Sequence, residues 1–186
     1  MNYEEISRWR VVYHQAGHVV AAYPLEVAVE RVSVATGEGW LPGVQLGSLY
    51  QAMLLASEGA ERQLVLRNHL IVRLAGHAAE MEFTLRRFRA SGHQVNRTRW
   101  RTRWVRNLLF RNEVDADFAF AAMFAWGTCR NVYELRQILE KLWRDTELLL
   151  RQEAIWSQVE LLAAVLKIRP VMSGKEAFRV IRPLAP

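Results

Sequence analysis

Apolar residues recur every three or four positions along most of the chain and lose that period over one stretch, which predicts helical runs around a small insert of strands. In residues 2–23, Ile6, Trp9, Tyr13, Ala16 and Val20 form a single stripe. Asn2 with Glu5 reads as a capping box that opens this helix, and Pro24 ends it. Beyond Pro24 the valines at 27, 29, 32 and 34 are followed by glycines at 37, 39, 43 and 47, with Trp40, Val44 and Leu46 between them. That texture predicts short strands joined by glycine turns. Helical spacing returns over residues 58–85 through Leu66, Leu70, Leu74 and Ala78, and again over residues 115–126, closed by Gly127. Asn131 with Glu134 predicts a long amphipathic helix through Leu135, Ile138, Leu142 and Leu149. Ile155, Val159, Leu162 and Leu166 continue in another helix before Pro170, and Ser173 with Glu176 caps a last short one carrying Phe178 and Ile181. The expectation is a mainly α (α+β) fold. It has a small sheet after the first helix and a helical bundle at the C-terminal end.

Composition narrows this picture. A chain of 186 residues fits one domain, residues 1–186, and is too short for a motor ATPase beside a second catalytic domain. The hydrophobic fraction of 51% and charged fraction of 24% are those of a chain able to bury a core, so wholesale disorder is excluded. The single cysteine, Cys129, excludes a disulfide framework and a cysteine-rich zinc module, and suits a reducing compartment. The longest run without acids or bases, residues 39–57, contains Pro42 and three glycines and is no membrane span. The N-terminal residues lack the basic-then-apolar order of a secretory signal. A cytoplasmic protein is expected.

Candidate chemistry lies in the first helix, at Tyr13-His14-Gln15-Ala16-Gly17-His18. Residues four apart share a helix face, so both imidazoles can point at one metal ion. In the zinc-peptidase pattern H-E-x-x-H, the glutamate beside the first ligand acts as general base. Here that position is Gln15. The spacing alone is equally met by two unrelated helix histidines.

The wider sequence resembles the FtsH-type zinc metallopeptidases, whose metal-binding helix reads H-E-A-G-H. Several further stretches agree with that family in order and separation. Arg31-Val-Ser-Val resembles the strand after the helix, and Leu74-Ala-Gly-His-Ala-Ala-Glu80 resembles the family's Gly-Gly-Arg-Ala-Ala-Glu. Asp117-Phe-Ala-Phe-Ala-Ala resembles the helix that carries the third zinc ligand, and residues 123–127 resemble a segment ending in Trp-Gly. The tail, residues 131–181, resembles the closing helices. The resemblance covers about residues 3–181. It implies a metal-site half over about residues 3–128 and C-terminal helices over residues 129–186. It also implies Zn²⁺ held by His14, His18 and Asp117, with a fourth position for water or a substrate carbonyl. Glu80 becomes a group that orients a ligand histidine. Asp115 is a second, weaker ligand candidate. His69, His77 and His93 are expected to be incidental, with His77, at the place of a family arginine, in solvent.

Two departures bear on activity. Gln15 has the shape of glutamate but cannot accept the water's proton, and loss of a general base is worth about 10²–10⁴ in rate. The chain as written is expected to bind zinc and to cleave very slowly or not at all. Two origins of Gln15 fit the sequence. One is an engineered, near-isosteric change that traps substrate on an active parent; the other is a natural pseudopeptidase serving as a zinc-dependent peptide-binding or adaptor module. The second departure is the absence of a G-x-x-x-x-G-K-[ST] motif, which implies an ATP-independent protein. Its polypeptide substrates would already be unfolded or flexible, and Val44, Gln45 and Leu46 form a candidate edge for their addition as a strand.

Charge adds one more feature. Nine arginines and no acid lie between Glu82 and Glu113, whereas the rest of the chain carries 16 bases against 19 acids. Within this segment Arg97, Arg99, Arg101 and Arg103 alternate with Thr98, Trp100, Thr102 and Trp104. A loop or lid over the metal cleft, a dock for an acidic partner and an Arg/Trp nucleic-acid surface all fit that alternation. Oligomerisation is left open.

Overall fold

The computed structural model describes residues 3–35, 42–56, 58–92 and 116–182. Among the described residues the chain is mainly α, with seven helices and one small antiparallel sheet. In chain order the elements are α1 (Tyr3–Ala22), β1 (Val29–Ser33), β2 (Gly43–Leu46), α2 (Leu49–Leu55), α3 (Ala60–Ala90), α4 (Ala116–Trp126), α5 (Val132–Leu150), α6 (Glu153–Ile168), β3 (Val171–Ser173) and α7 (Gly174–Ile181). The sequence signals at Asn2, Trp40, His93, Asp115 and residues 97–103 lie outside the described residues.

The pairing of α1 with α3 organises the centre. Ala16, Ala75, Ala78 and Ala79 are buried, and their small side chains let the two backbones approach closely. A Cβ at Gly17 would stand 2.5 Å from Ala79 Cβ and 2.6 Å from the Ala75 carbonyl oxygen, so only glycine permits this crossing. One turn earlier on α1, Tyr13 stacks on Phe83 of α3 and Trp156 of α6, at centroid separations of 4.2 and 5.7 Å. One buried apolar cluster joins Val19 and Val20 of α1, Val32 of β1, Leu74 of α3, Trp143 of α5 and Leu162 of α6. Against water, burial of each large member stabilises the fold by about 1.5–3 kcal/mol.

The sheet order is β2-β1-β3, with both neighbours antiparallel to the central β1 and a register irregularity between Val29 and Arg31. β2 is thus an edge strand. The predicted capping box at Ser173 is formed on both sides: the Glu176 N–H donates to Ser173 Oγ at 3.3 Å, and the Ser173 N–H donates to Glu176 Oε2 at 2.9 Å. At α5 the Glu134 N–H donates to Asn131 Oδ1, but the Glu134 carboxylate accepts from Arg130 N–H, one residue earlier than a capping box requires. Two element boundaries differ from expectation. α3 runs five residues past 85, to Ala90, and α2 forms where no helix was expected. α2 leaves Tyr50, Leu54 and Leu55 exposed, so it has no buried stripe to announce it; its one signal is Ser48, whose Oγ accepts from the Gln51 N–H. No described helix is long and apolar enough to cross a membrane.

Candidate metal centre

α1 turns His14 and His18 to the same side, one helical turn apart, with ring centroids 4.8 Å from each other. α4 brings Asp117, in its first turn, across from them. Asp117 Oδ2 lies 3.2 Å from His18 Nε2 and 3.7 Å from His14 Nε2. Three residues separated by about a hundred positions in the chain therefore converge on one point.

The opposite ring atoms fix which nitrogen each histidine offers. His18 Nδ1 donates to the Val72 carbonyl at 2.7 Å, which leaves the Nε2 lone pair facing Asp117. His14 Nδ1 lies 3.4 Å from Glu80 Oε2, the position expected of a group that orients a ligand. Glu80 is itself held by Arg10, whose Nε donates to Oε1 at 2.7 Å. The other oxygen of Asp117, Oδ1, accepts from Arg73 Nη1 at 2.7 Å, and the Arg73 guanidinium lies 4.7 Å over the Phe120 ring. Each of the three side chains is thus aimed by a second contact.

α3 meets the two rings with a glycine. A Cβ built on Gly76 would stand 2.3 Å from His18 Nε2 and 2.7 Å from His14 Nε2. The missing side chain lets both imidazoles close on the α3 backbone, where a methyl group would collide with them. Two nitrogens and one carboxylate oxygen so placed suit a divalent metal.

Without an ion, the cluster distributes protons unevenly. Burial opposes protonation of His14, but the carboxylates of Asp117 and Glu80 outweigh it and raise its pKa to about 9. Burial dominates at His18 and, with the charge of His14 beside it, lowers its pKa. Burial would raise the pKa of Asp117, yet its bonds to His14, His18 and Arg73 hold it far below the usual carboxylate range. Glu80 is lowered in the same way, burial being overcome by His14 and Arg10.

Gln15 is buried, at 7% exposure, and its Oε1 has no hydrogen-bond partner among the described residues. It lines a cleft of about 380 Å³ together with His14, Arg10, Glu80, His77 and Pro42. A buried carbonyl oxygen without a donor is a costly arrangement that a ligand or water in the cleft would relieve. Pro42 immediately precedes β2, so the strand holding Val44, Gln45 and Leu46 starts at the cleft's wall; Gln45 itself bonds to Glu30 on β1.

The expectation of a solvated His77 is corrected. His77 is buried, at 6% exposure, and its ring stands edge-on to His14 with centroids 4.6 Å apart. With the α1–α3 crossing so tight, the His77 ring packs against His14 at the inner wall of the cleft. His14, His77 and Glu80 form a second group whose donor atoms lie within 4.8 Å of one another, as do those of His14, His18 and Asp117. Each group's carboxylate also carries a guanidinium, Arg10 on Glu80 and Arg73 on Asp117, so each group has one positive neighbour and His14 belongs to both. His69, also buried, stands outside both groups.

Sequence reasoning missed Arg10, Val72, Arg73, Gly76 and His77. A signal existed for part of this set: positions 73, 76, 77 and 80 recur at helical spacing on α3, a polar stripe beside the apolar one. No known protein-family model matches the chain, and no curated protein matches it.

Proposed function

We propose that this chain is a zinc-binding polypeptide-capture protein built on the plan of the FtsH-type metalloendopeptidases, ATP-independent, with its general base replaced by Gln15. The observation that carries this reading is the convergence of His14 Nε2, His18 Nε2 and Asp117 Oδ2, with both rings packed against Gly76. Zinc suits two imidazoles and one carboxylate, with a fourth position left to water or a peptide carbonyl. Bound there, zinc supplies an acidified water and a polarised carbonyl. His14 and His18 hold it through Nε2, Glu80 and the Val72 carbonyl keep those rings in the right tautomer, and Arg73 keeps Asp117 turned inward. Gln15, in the cleft beside His14, accepts or donates hydrogen bonds to a water or a peptide group but cannot take a proton. Cleavage is therefore absent or slow. The edge of β2 offers backbone groups to an extended chain entering the cleft at Pro42. A cytoplasmic setting is part of the proposal, on the ground of the single cysteine.

Elemental analysis tests the metal assignment: about one zinc per chain is expected, lost in His14→Ala and His18→Ala. Unchanged affinity in Asp117→Ala would remove Asp117 from the ligand set. Restoring the base, Gln15→Glu, is expected to raise hydrolysis of an unfolded protein such as casein by about 10²–10⁴. A Gln15→Glu protein that holds zinc, binds casein and stays inert would leave a zinc-dependent peptide-binding module as the function.

A further inference from the structure

The cleft of about 380 Å³ is walled by His14, His77 and Glu80, whereas neither His18 nor Asp117 lines it. The two groups that share His14 therefore differ in access. One faces the cleft; the other is set back from it, with the His18 side chain only 4% exposed.

In other respects the two groups are built alike. His14 points Nε2 at Asp117 Oδ2, 3.7 Å away, and Nδ1 at Glu80 Oε2, 3.4 Å away. The second oxygen of each carboxylate accepts from an arginine, Arg73 on Asp117 Oδ1 and Arg10 on Glu80 Oε1. One oxygen per carboxylate is thus left turned to His14. With bonds of about 2.0–2.1 Å, a nitrogen and an oxygen on one tetrahedral zinc ion stand about 3.3 Å apart. The 3.4 Å between His14 Nδ1 and Glu80 Oε2 is close to that spacing and longer than an ordinary N–H···O bond. His77, edge-on to His14, brings a third donor atom, and all three lie within 4.8 Å of one another. Gln15 lines the same cleft, and its buried Oε1 has no hydrogen-bond partner among the described residues. Amide carbonyl oxygens ligate divalent cations, so a cation in the cleft would answer that oxygen.

We infer that His14 Nδ1, His77 and Glu80 Oε2 form a second station for a divalent cation, facing the cleft, and that one ion occupies either this station or the inner one. The inference rests on the metal reading of His14. A neutral imidazole has a ligating lone pair on one nitrogen only, so His14 serves through Nε2 or through Nδ1 and not through both. With the ion at Nε2, the ring proton sits on Nδ1 and is donated to Glu80. With the ion at Nδ1, it sits on Nε2 and is donated to Asp117. Transfer of the ion between stations thus moves one proton the opposite way across the ring, through water, and leaves the net charge unchanged. Two imidazoles and one carboxylate suit the same class of cation at both stations, zinc among them. The inner station is the drier and so holds the ion more tightly.

Calorimetric titration of the full chain with zinc is the test. The parent is expected to take up one ion tightly and no second ion in moderate excess. His18→Ala, which breaks the inner station, loses its zinc on dialysis but should still show one site in titration, weaker by about a hundredfold. Adding His77→Asn to His18→Ala should abolish that weak site, whereas His77→Asn alone should keep the tight one at the parent's affinity. Circular dichroism checks folding, and His18→Asn replaces His18→Ala if the alanine variant is unfolded. Tight binding by the parent with none by the folded residue-18 variant would overturn the inference and leave the metal reading standing. So would a weak site that survives His77→Asn, a second ion in the parent, or loss of the tight site in folded His77→Asn. A parent that takes up no zinc would overturn both.

Discussion

A methyl group added at position 76 would meet the two imidazole nitrogens that the metal reading depends on, at 2.3 and 2.7 Å. Gly76→Ala is accordingly expected to abolish zinc uptake and to cost about 1–3 kcal/mol of stability through overpacking. Its helical content should be unchanged. Calorimetric titration with zinc checks the first effect and urea unfolding the second; wild-type zinc affinity in this variant would mean the ion sits elsewhere. At this scale the sequence was readable where a side chain announces its own chemistry. His14 and His18 are visible because a spacing of four is a geometric statement about a helix. Asp117 was not visible from spacing, since its partner lies 99 positions away and only the resemblance joined them. The Val72 contribution is a backbone carbonyl, which every residue possesses and no letter marks. His77 was misread because a polar residue inside an alanine-rich stretch looks like surface until the close crossing at Gly17 is known.

Among elements, the caps and periods that depend on neighbouring residues were legible, and the lengths set by tertiary packing were not. Ser173 and Glu176 form their capping box, and Glu176 shows it electrostatically: bonds from the Ser173 backbone and hydroxyl, then Arg169, lower its pKa to about 2. Ser173→Ala is expected to destabilise the protein by about 1 kcal/mol, read as a lower urea midpoint at unchanged m-value. An unchanged midpoint would show that β3 and Gly174 hold the start of α7 without the cap. α3 outruns its predicted end because no proline or glycine interrupts residues 86–90; only the Ser91 cap and the positive φ of Gly92 stop it. α2 escaped notice for the opposite reason, being seven residues with its large apolar side chains in solvent. The small sheet was anticipated from valines and glycines, but its third strand, β3, was not, because the β1–β3 pairing spans most of the chain.

For the molecule as a whole, the site joins three helices, and its protons make metal binding depend on pH. His14 in the metal-free protein has a pKa raised to about 9, above the ordinary 6.5. Its protonated form therefore stabilises the fold fully below about 6.5, and that contribution is lost as pH rises through about 9. Asp117 and Glu80, both depressed, stabilise above their ordinary values and lose that contribution in acid. On the proposed assignment, zinc displaces the His14 proton. Binding near pH 7.5 is expected to release about one proton, and affinity should rise about tenfold per pH unit up to roughly pH 9. Calorimetry in buffers of different ionisation enthalpy counts that proton. The metal-free protein should also lose thermal stability between about pH 7 and 10, and the zinc-loaded one should not. Equal alkaline losses in both forms would place the ion away from His14.

The buried amide of Gln15 has a practical consequence. Hydrolysis of that amide, with release of ammonia, leaves a glutamate in an unchanged cavity. With a base worth about 10²–10⁴ in rate, a preparation in which about one molecule in a thousand had aged in this way would display turnover that the remaining molecules do not possess. On the proposed function, trace proteolysis by a stored sample would report its chemical history, and a mass increase of about one dalton on the peptide containing residue 15 is the measurement that tells the two apart.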